Sequence, residues 1–527
     1  METRHLIDGV LNGTRPISRQ EMAGYLAQMI ESTPAELVLN PVEAEQLEFL
    51  KIEFFEELAV LLPEFKAEQQ TRLARFKKLP LIDPLLPDFL YRNNRNFLSF
   101  QHEAFQCFID PILYRDALFA EADTLTATER VYQDMNGFTF WGQLGSHLGF
   151  FFDARDTKEW GTRPYPAVHN ITREQLGFVN GYGTHIYHDE TVAYLIFKLP
   201  YFNVMFGKDK NKWGPGFHGN LALSDYATSY DQIKFQVKYW RIKFTSLTGF
   251  LRTYPVMIEN GQTLSRSLAA HRLELNLSRR FQLGLQETVI YGHRRLEPAY
   301  LNPIMFYRSA EHYLAHEDNV TMGLDVDWSA IKNLKLYGEL FIDDITTTEL
   351  GSGYYGNKLG YLAGGYYLNC FSVPNLDLRL EYARIRPYVY THKLPITTYQ
   401  HFTTTLGHRI GPNSDDIFIQ LKYRFSKALS FTSGFEYQRW GANTDSVNYG
   451  RDIAFAHRYF DPEEVDFLEG KRQNLKSISL GIRYELFRNF YLVIKYDWKK
   501  LAGQLGNNIQ KLPIIRQNAY FSLGINY

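Results

Sequence analysis

Over most of the chain, apolar and polar residues take turns. Leu376, Leu378, Leu380 and Tyr382 alternate with Asp377, Arg379 and Glu381. Ile417, Ile419, Leu421, Tyr423 and Phe425 alternate with Gln420, Lys422 and Arg424. Leu429, Phe431, Phe435 and Tyr437 share one face, opposite Ser430, Thr432, Gly434, Glu436 and Gln438. The same holds for Ile478, Leu480, Ile482 and Tyr484, and for Leu492, Ile494, Tyr496 and Trp498. The final ten residues, 518–527, place Phe521, Leu523, Ile525 and Tyr527 against Ser522, Gly524 and Asn526. Strand side chains point to opposite faces in turn, so each run has one apolar and one polar or small face. Each run is about the 9–11 residues that a tilted strand needs to cross a bilayer.

The connections between runs alternate in length. Short ones lie near 199–201, 239–241, 278–281, 329–333, 373–375, 426–428 and 487–489. Long ones cover 154–187, 209–230, 253–269, 292–318, 344–357, 388–414, 441–473 and 501–516. Short turns at one end and long loops at the other are the outer-membrane arrangement. Counting back from Tyr527 gives about 18 strands, with 97–156 the least cleanly divided stretch. The predicted fold is an all-β transmembrane barrel of about 18 antiparallel strands. Its final strand, ending on an aromatic residue, resembles the signal that barrel-assembly machinery reads. Charged pairs such as Lys335 and Glu339, Arg379 and Glu381, Arg483 and Glu485, and Lys495 and Asp497 are expected to face inward, toward a wet or protein-filled lumen.

The first 80 residues follow a different period. Ser18 and Glu21 form a capping box before Met22, Tyr25, Leu26 and Ile30. Asn40 caps a second helix with Pro41 at its first position and Leu47, Leu50, Phe54, Leu58 and Leu61 on one face. A third is predicted from about Glu64 to Lys78. These give a small N-terminal helical bundle over 1–80 on the periplasmic side, a Pro-interrupted linker over 81–96, and the barrel over 97–527.

Composition narrows the function. Hydrophobic residues make up 45% of 527, and no run of 18 apolar residues supplies a spanning helix. Aromatics reach 16%, with 36 Tyr and 39 Phe, which suits interfacial girdles. A formal net charge of −1 argues against a nucleic-acid partner. Cys107 and Cys370, both in predicted strands, are too few for a disulfide framework and read as apolar fillers. Met1 opens on E-T-R-H-L-I-D-G without an apolar h-region, so the chain reads as a mature or trimmed form of an exported protein.

Among candidate chemistry, the loop at 208–224 stands out. Gly214, Gly216 and Gly219 permit positive φ, and Pro215 stiffens the turn. Trp213, Phe217 and Tyr226 offer flat faces, while Lys208, Lys210 and Lys212 add positive charge. Aromatic platforms beside polar groups suit stacking on sugar rings. The alternative is an ordinary loop folded into the barrel mouth. His312 and His316, with Glu311, Glu317 and Asp318, form an i, i+4 pair that on a helix could hold a metal, but the motif is not H-E-x-x-H; this group and His185, His188, Asp189 and Glu190 read as loop polarity. No G-x-S-x-G elbow is present.

The segment W-G-P-G-F-H-G-N-L-A-L-S at 213–224 resembles the W-G-P-G-x-x-G-S-L-x-L-S segment of the Wzi capsule-assembly family. Trp213, Gly214, Pro215, Gly216, Gly219, Leu221, Leu223 and Ser224 match; Asn220 departs from the usual Ser, and His218 stands where a short acidic residue is common. The resemblance implies an outer-membrane barrel with a periplasmic helical bundle that binds capsular polysaccharide, organises it at the surface, and is not an enzyme. The expected binding residues are Lys208, Lys210, Lys212, Trp213, Phe217, His218 and Tyr226, with Gly214, Pro215, Gly216, Gly219 and Ser224 shaping the loop. Expected partners are surface polysaccharide, outer-membrane lipid and the assembly machinery, with no cofactor or metal and a monomeric state. The rival readings are a porin with an open lumen and a membrane-embedded hydrolase.

Overall fold

A computed structural model describes residues 1–32, 39–65, 87, 89–91, 93, 95–123, 127–168, 171–259, 262–294, 296–314, 317–504 and 513–526. Its alternating runs close into an antiparallel barrel of 18 strands. In chain order these are β1 (Phe105–Ala122), β2 (Glu129–Leu144), β3 (Leu148–Gly161), β4 (His185–Lys198), β5 (Phe202–Asp209) and β6 (Tyr230–Tyr239). Next come β7 (Ile242–Leu251), β8 (Arg266–Ser278), β9 (Phe281–Gly292), β10 (Asn319–Trp328), β11 (Leu334–Asp344) and β12 (Lys358–Tyr367). The ring ends with β13 (Leu376–Ile385), β14 (Ser414–Arg424), β15 (Leu429–Ala442), β16 (Lys471–Phe487), β17 (Phe490–Gly503) and β18 (Ile514–Asn526). Closure is β18 on β1, with Leu523 opposite Arg115 and Ile525 opposite Leu113. The ill-divided stretch resolves into β1 to β3, each 14 residues or longer.

The apolar rows point out. Leu380, Ile417, Phe435, Ile478, Leu480, Tyr496, Phe521 and Leu523 are all exposed, Leu523 at 43%. In water such rows would be a large liability; in a bilayer they are the lipid-facing belt. No helix among the described residues is long and apolar enough to cross a membrane.

The lumen, expected to be wet or protein-filled, is protein-filled on one side and open on the other. Along β6 to β13 the inward positions Leu247, Leu251, Leu268, Ile290, Phe341, Leu362 and Ile385 are buried. They pack with Trp213, Leu221, Leu223, Tyr390, Tyr399, Leu406 and Ile410, which come from the 210–229 and 386–413 loops. Two loops drawn as external therefore fold inward and build a dry half-core. On the other side, Lys422, Arg483 and Lys495 remain exposed to the lumen.

The N-terminal segment enters from the short-turn end. Gly9 N–H donates to Arg279 O and Asn333 N–H to Thr3 O. Residues 14 and 15 then pair antiparallel with Trp213 and Lys212, deep inside the barrel. The helices α1 (Arg19–Ser32), α2 (Pro41–Glu53) and α3 (Phe55–Leu61) follow, joined by Ala23, Leu26, Ala27 and Leu58. Asn40 caps α2 as predicted, and Glu43 completes a reciprocal capping box with it. Ser18 Oγ accepts from Glu21 N–H, but the Glu21 carboxylate turns to Lys238 and Lys243 instead of completing a box. The predicted second helix breaks at Phe54, whose ψ of 29° ends α2. The predicted third helix, apart from its first two residues, and most of the 81–96 linker lie outside the described residues. Glu21 on Lys238, Glu45 on the Lys427 N–H and Glu53 on Arg488 hold the helices across the short-turn end.

Both cysteines are free and buried. Cys107 is in β1 as expected; Cys370 lies instead in the turn after β12, where Asn369, Phe371 and Ser372 all take positive φ and end the strand.

Candidate functional site

The 210–229 loop leaves β5 and turns into the barrel. Its sequence explains how tightly it folds. Gly214 takes φ +119°. Gly216 and Gly219 are required for a different reason than the positive φ expected of them. A Cβ on Gly216 would lie 1.9 Å from Gly219 O, and one on Gly219 would lie 2.4 Å from the His408 ring. Asn220, the departure from the family segment, is fully buried, and its Oδ1 accepts the Gly216 N–H at 2.7 Å. Two barrel carboxylates then hold the turn. Glu339 accepts the N–H groups of Leu221 (2.9 Å) and Ala222 (3.2 Å). Glu381 accepts those of Phe217 (2.8 Å) and His218 (2.9 Å), and also the Tyr337 hydroxyl (2.8 Å). Carboxylates facing several N–H donors make strong hydrogen bonds at low local polarity.

This placement sorts the expected binding residues. Trp213 is 0% exposed, so it has no face for a ligand and serves as the loop's core anchor. Lys208 is still inside β5, opposite Asp231. Lys212 is drawn in to donate to Phe217 O at 3.1 Å, and its burial lowers its pKa. Phe217 is half-buried, with the Arg379 guanidinium 4.0 Å above its ring. Ser224 is buried, its N–H on Leu406 O.

Lys210, His218, Ser224 and Tyr226 do converge, on one cleft at the long-loop end with Gln175, Glu190, Asp225 and Arg409, of about 290 Å³. Lys210 is paired with Glu190 at 2.6 Å, and the Tyr226 hydroxyl donates to Glu174 at 2.9 Å. The His218 ring stacks on Phe418 at 3.9 Å and lies among Asp416, Glu436 and Arg409. Burial, then the Arg409 cation, pull His218 down to about 4, so it is neutral at pH 7 and Nε2 accepts from Arg409. His218, Asp416 and Glu436 have the composition of a cation site, but the Arg409 guanidinium contacts His218 and Glu436 and supplies the positive charge there.

A second cleft, of about 350 Å³, was not anticipated. It is built from the loops after β9, β11, β13 and β15. Tyr355 and His457 stack at 3.6 Å with 9° between planes, Tyr354 packs beside Tyr355 at 4.9 Å, and Tyr388 closes edge-on at 5.7 Å. Lys358, Lys393, Asp343 and Asp344 are among the polar lining groups. On the same loop as His457, Phe455, Phe460 and Tyr459 project into solvent, Tyr459 at 96% exposure. The G-Y-Y-G at 353–356 was the available signal: an aromatic pair between glycines within a long loop. Of the histidine groups set aside earlier, His316 lies outside the described residues, and His185 stacks on Tyr182 at 5.0 Å.

The profile of the family described as capsule assembly protein Wzi matches residues 187–505. The solved structure of Wzi from Escherichia coli is described as an outer-membrane protein involved in group 1 capsule assembly and a carbohydrate-binding β-barrel. It superposes with a TM-score of 0.55 at 13% identity, over 99% of this chain and 95% of that one. OprD of Pseudomonas aeruginosa (TM-score 0.42, 9% identity, 80% and 94% covered) and OccAB2 of Acinetobacter baumannii (0.44, 8%, 79% and 97%) are more distant. No curated protein sequence gives a match.

Proposed function

The chain belongs to the Wzi capsule-assembly family of outer-membrane barrels, and from that premise we propose that it binds surface or capsular polysaccharide at its long-loop end and helps hold it at the cell surface. In this reading the long loops face outward and the N-terminal helices face the periplasm. Outer-membrane lipid covers the outward rows, and β18 is the strand read during assembly. The protein acts as a monomer, without a cofactor and without covalent chemistry.

One observation carries the proposal. A stacked Tyr355–His457 pair, with Tyr354 beside it, walls a polar cleft, and the loop that supplies His457 also carries the exposed rings of Phe455, Tyr459 and Phe460. Flat rings meet the C–H faces of sugars while lining carboxylates and amines bridge to hydroxyls. The charged cleft around Lys210 and Tyr226 is a second contact for the same polymer. Weak contacts repeated along one chain then add through effective concentration. Conduction is disfavoured as the main task, since two loops and the N-terminal strand occupy one side of the bore.

The test is capture of polysaccharide extracted from the source cells by the purified full-length protein on a biosensor. Tyr355→Ala with His457→Ala removes two ring faces, each worth ~0.5–1.5 kcal/mol. Affinity is expected to drop roughly 10-fold with barrel folding intact. Unchanged affinity removes this cleft from the site.

A further inference from the structure

The loop between β9 and β10 turns outward. Its two short helices, α4 (Pro298–Leu301) and α5 (Tyr307–Tyr313), lie on the outer wall of the barrel. Tyr300, Tyr307 and Ala310 are buried there against Ala269, Val289, Tyr291 and Val320. Those four are the outward positions of β8, β9 and β10; their neighbours Ala270 and Ile290 face the inner core. The cover is fixed by polar bonds: Tyr307 N–H on Glu287 (3.0 Å), the Tyr300 hydroxyl on Asp318 (2.7 Å) and the Tyr307 hydroxyl on Tyr300 O (3.2 Å).

What the cover hides and what it shows are opposite in character. Beneath it, His271 and Glu287 pair at 3.0 Å on the outward face, with the Tyr307 ring 4.3 Å from the imidazole. An ionisable pair facing hydrocarbon is costly, so it is screened. The side turned away from the wall carries Leu296, Leu301, Ile304, Phe306 and Tyr313, all exposed, Ile304 at 89%. The cover begins one outward position above Leu285 on β9, where Leu285 and Leu324 are still exposed in the lipid-facing belt. Thus the apolar surface is continuous from the belt onto the loop. A loop surrounded by water would have no physical reason to present five apolar side chains at that level.

We propose that the 296–314 segment is a lipid anchor. It seats in the outer leaflet with Ile304 and Phe306 among acyl chains, as an interfacial element added to the barrel wall. Arg308 and Glu311 of α5 also line the second cleft, so anchoring fixes that cleft at the membrane surface. The proposal stands on the barrel alone and does not depend on what the cleft binds.

The experiment uses the full-length protein in phosphatidylethanolamine–phosphatidylglycerol vesicles. Spin labels are placed at Ile304→Cys, at Leu285→Cys as a belt reference and at Tyr459→Cys as a water reference. Unmodified protein, whose two cysteines are buried, gives the label background. Collision with oxygen and with a water-soluble nickel chelate then reports depth. The label at 304 is expected to match the one at 285, with oxygen collisions favoured several-fold over nickel relative to 459. A 304 label that behaves like 459 overturns the anchor, as does one shielded from both quenchers, which would mean a protein partner covers it. Quenching of a Phe306→Trp variant by brominated lipid is the second readout. Loss of signal relative to unmodified protein supports the anchor, and no added quenching counts against it.

Discussion

Glu381 offers the sharpest test of how the inner loop is held. Glu381→Ala removes the acceptor of three donors: the N–H groups of Phe217 and His218 and the Tyr337 hydroxyl, all at 2.8–2.9 Å. Hydrogen bonds to a charged partner are worth about 1.5–3 kcal/mol each. Phe217 is 38% exposed to the wet half of the lumen, so water can replace part of what is lost. We take about 3 kcal/mol as the net loss for docking the turn, which corresponds to roughly 150-fold in a local opening equilibrium. The barrel ladder is untouched, because Leu380 and Tyr382 keep their strand pairings. Hydrogen exchange followed by mass spectrometry is the assay. Amides of 213–222 should exchange about two orders of magnitude faster, while those of β16 and β17 stay unchanged. Equal protection of 213–222 in both proteins would show that the carboxylate does not hold the loop. Global loss of protection would show that the inner loop is part of the barrel's own stability.

Other outcomes follow from the same geometry. Gly216→Ala, whose Cβ would meet Gly219 O at 1.9 Å, should lower the urea midpoint of the inner loop, whereas Gly24→Ala in α1, with nothing within 4 Å, should leave it unchanged or raise it. Trp213→Ala should cost about 3–5 kcal/mol of loop stability through the cavity it leaves, and its effect on glycan capture should follow loop order, visible as parallel losses in exchange protection and binding. Acidification should loosen the inner loops. Burial, aided by nearby cations, holds His218 down to about 4, and His392 and His401 down to about 3. The unfolded segments therefore take up protons first as pH falls below about 6.5. Stability is complete above that value and declines toward pH 4 for His218 and toward pH 3 for His392 and His401, by about 2 kcal/mol per histidine at pH 5. Exchange protection of 213–222 and 390–410 measured from pH 7.5 to 5 checks this, and His218→Gln should flatten part of the slope.

The amino-acid order alone determined the barrel. Period-two alternation fixes which side chains meet lipid, since a slip of one residue would turn every apolar row inward. The alternation of short turns and long loops beyond the 97–156 stretch, and with it the strand count, was legible for the same reason. So was the cap at Asn40, a local hydrogen-bond pattern within four residues. The family segment at 213–224 marked a loop that lines one of the two clefts. What alternation cannot express is which loops turn back into the bore. Trp213 reads as a ligand platform in sequence because an aromatic beside glycines looks the same exposed or buried. Glu339 and Glu381, more than a hundred residues away, help draw that turn inward. The cleft of Tyr354, Tyr355, Tyr388 and His457 was likewise beyond reach, because four separate loops contribute to it. Burial of Tyr300 and Tyr307 on the outer wall depends on the lateral order of β8 to β10. Local pattern sets the wall; contacts between residues distant in sequence set what fills it and what covers it.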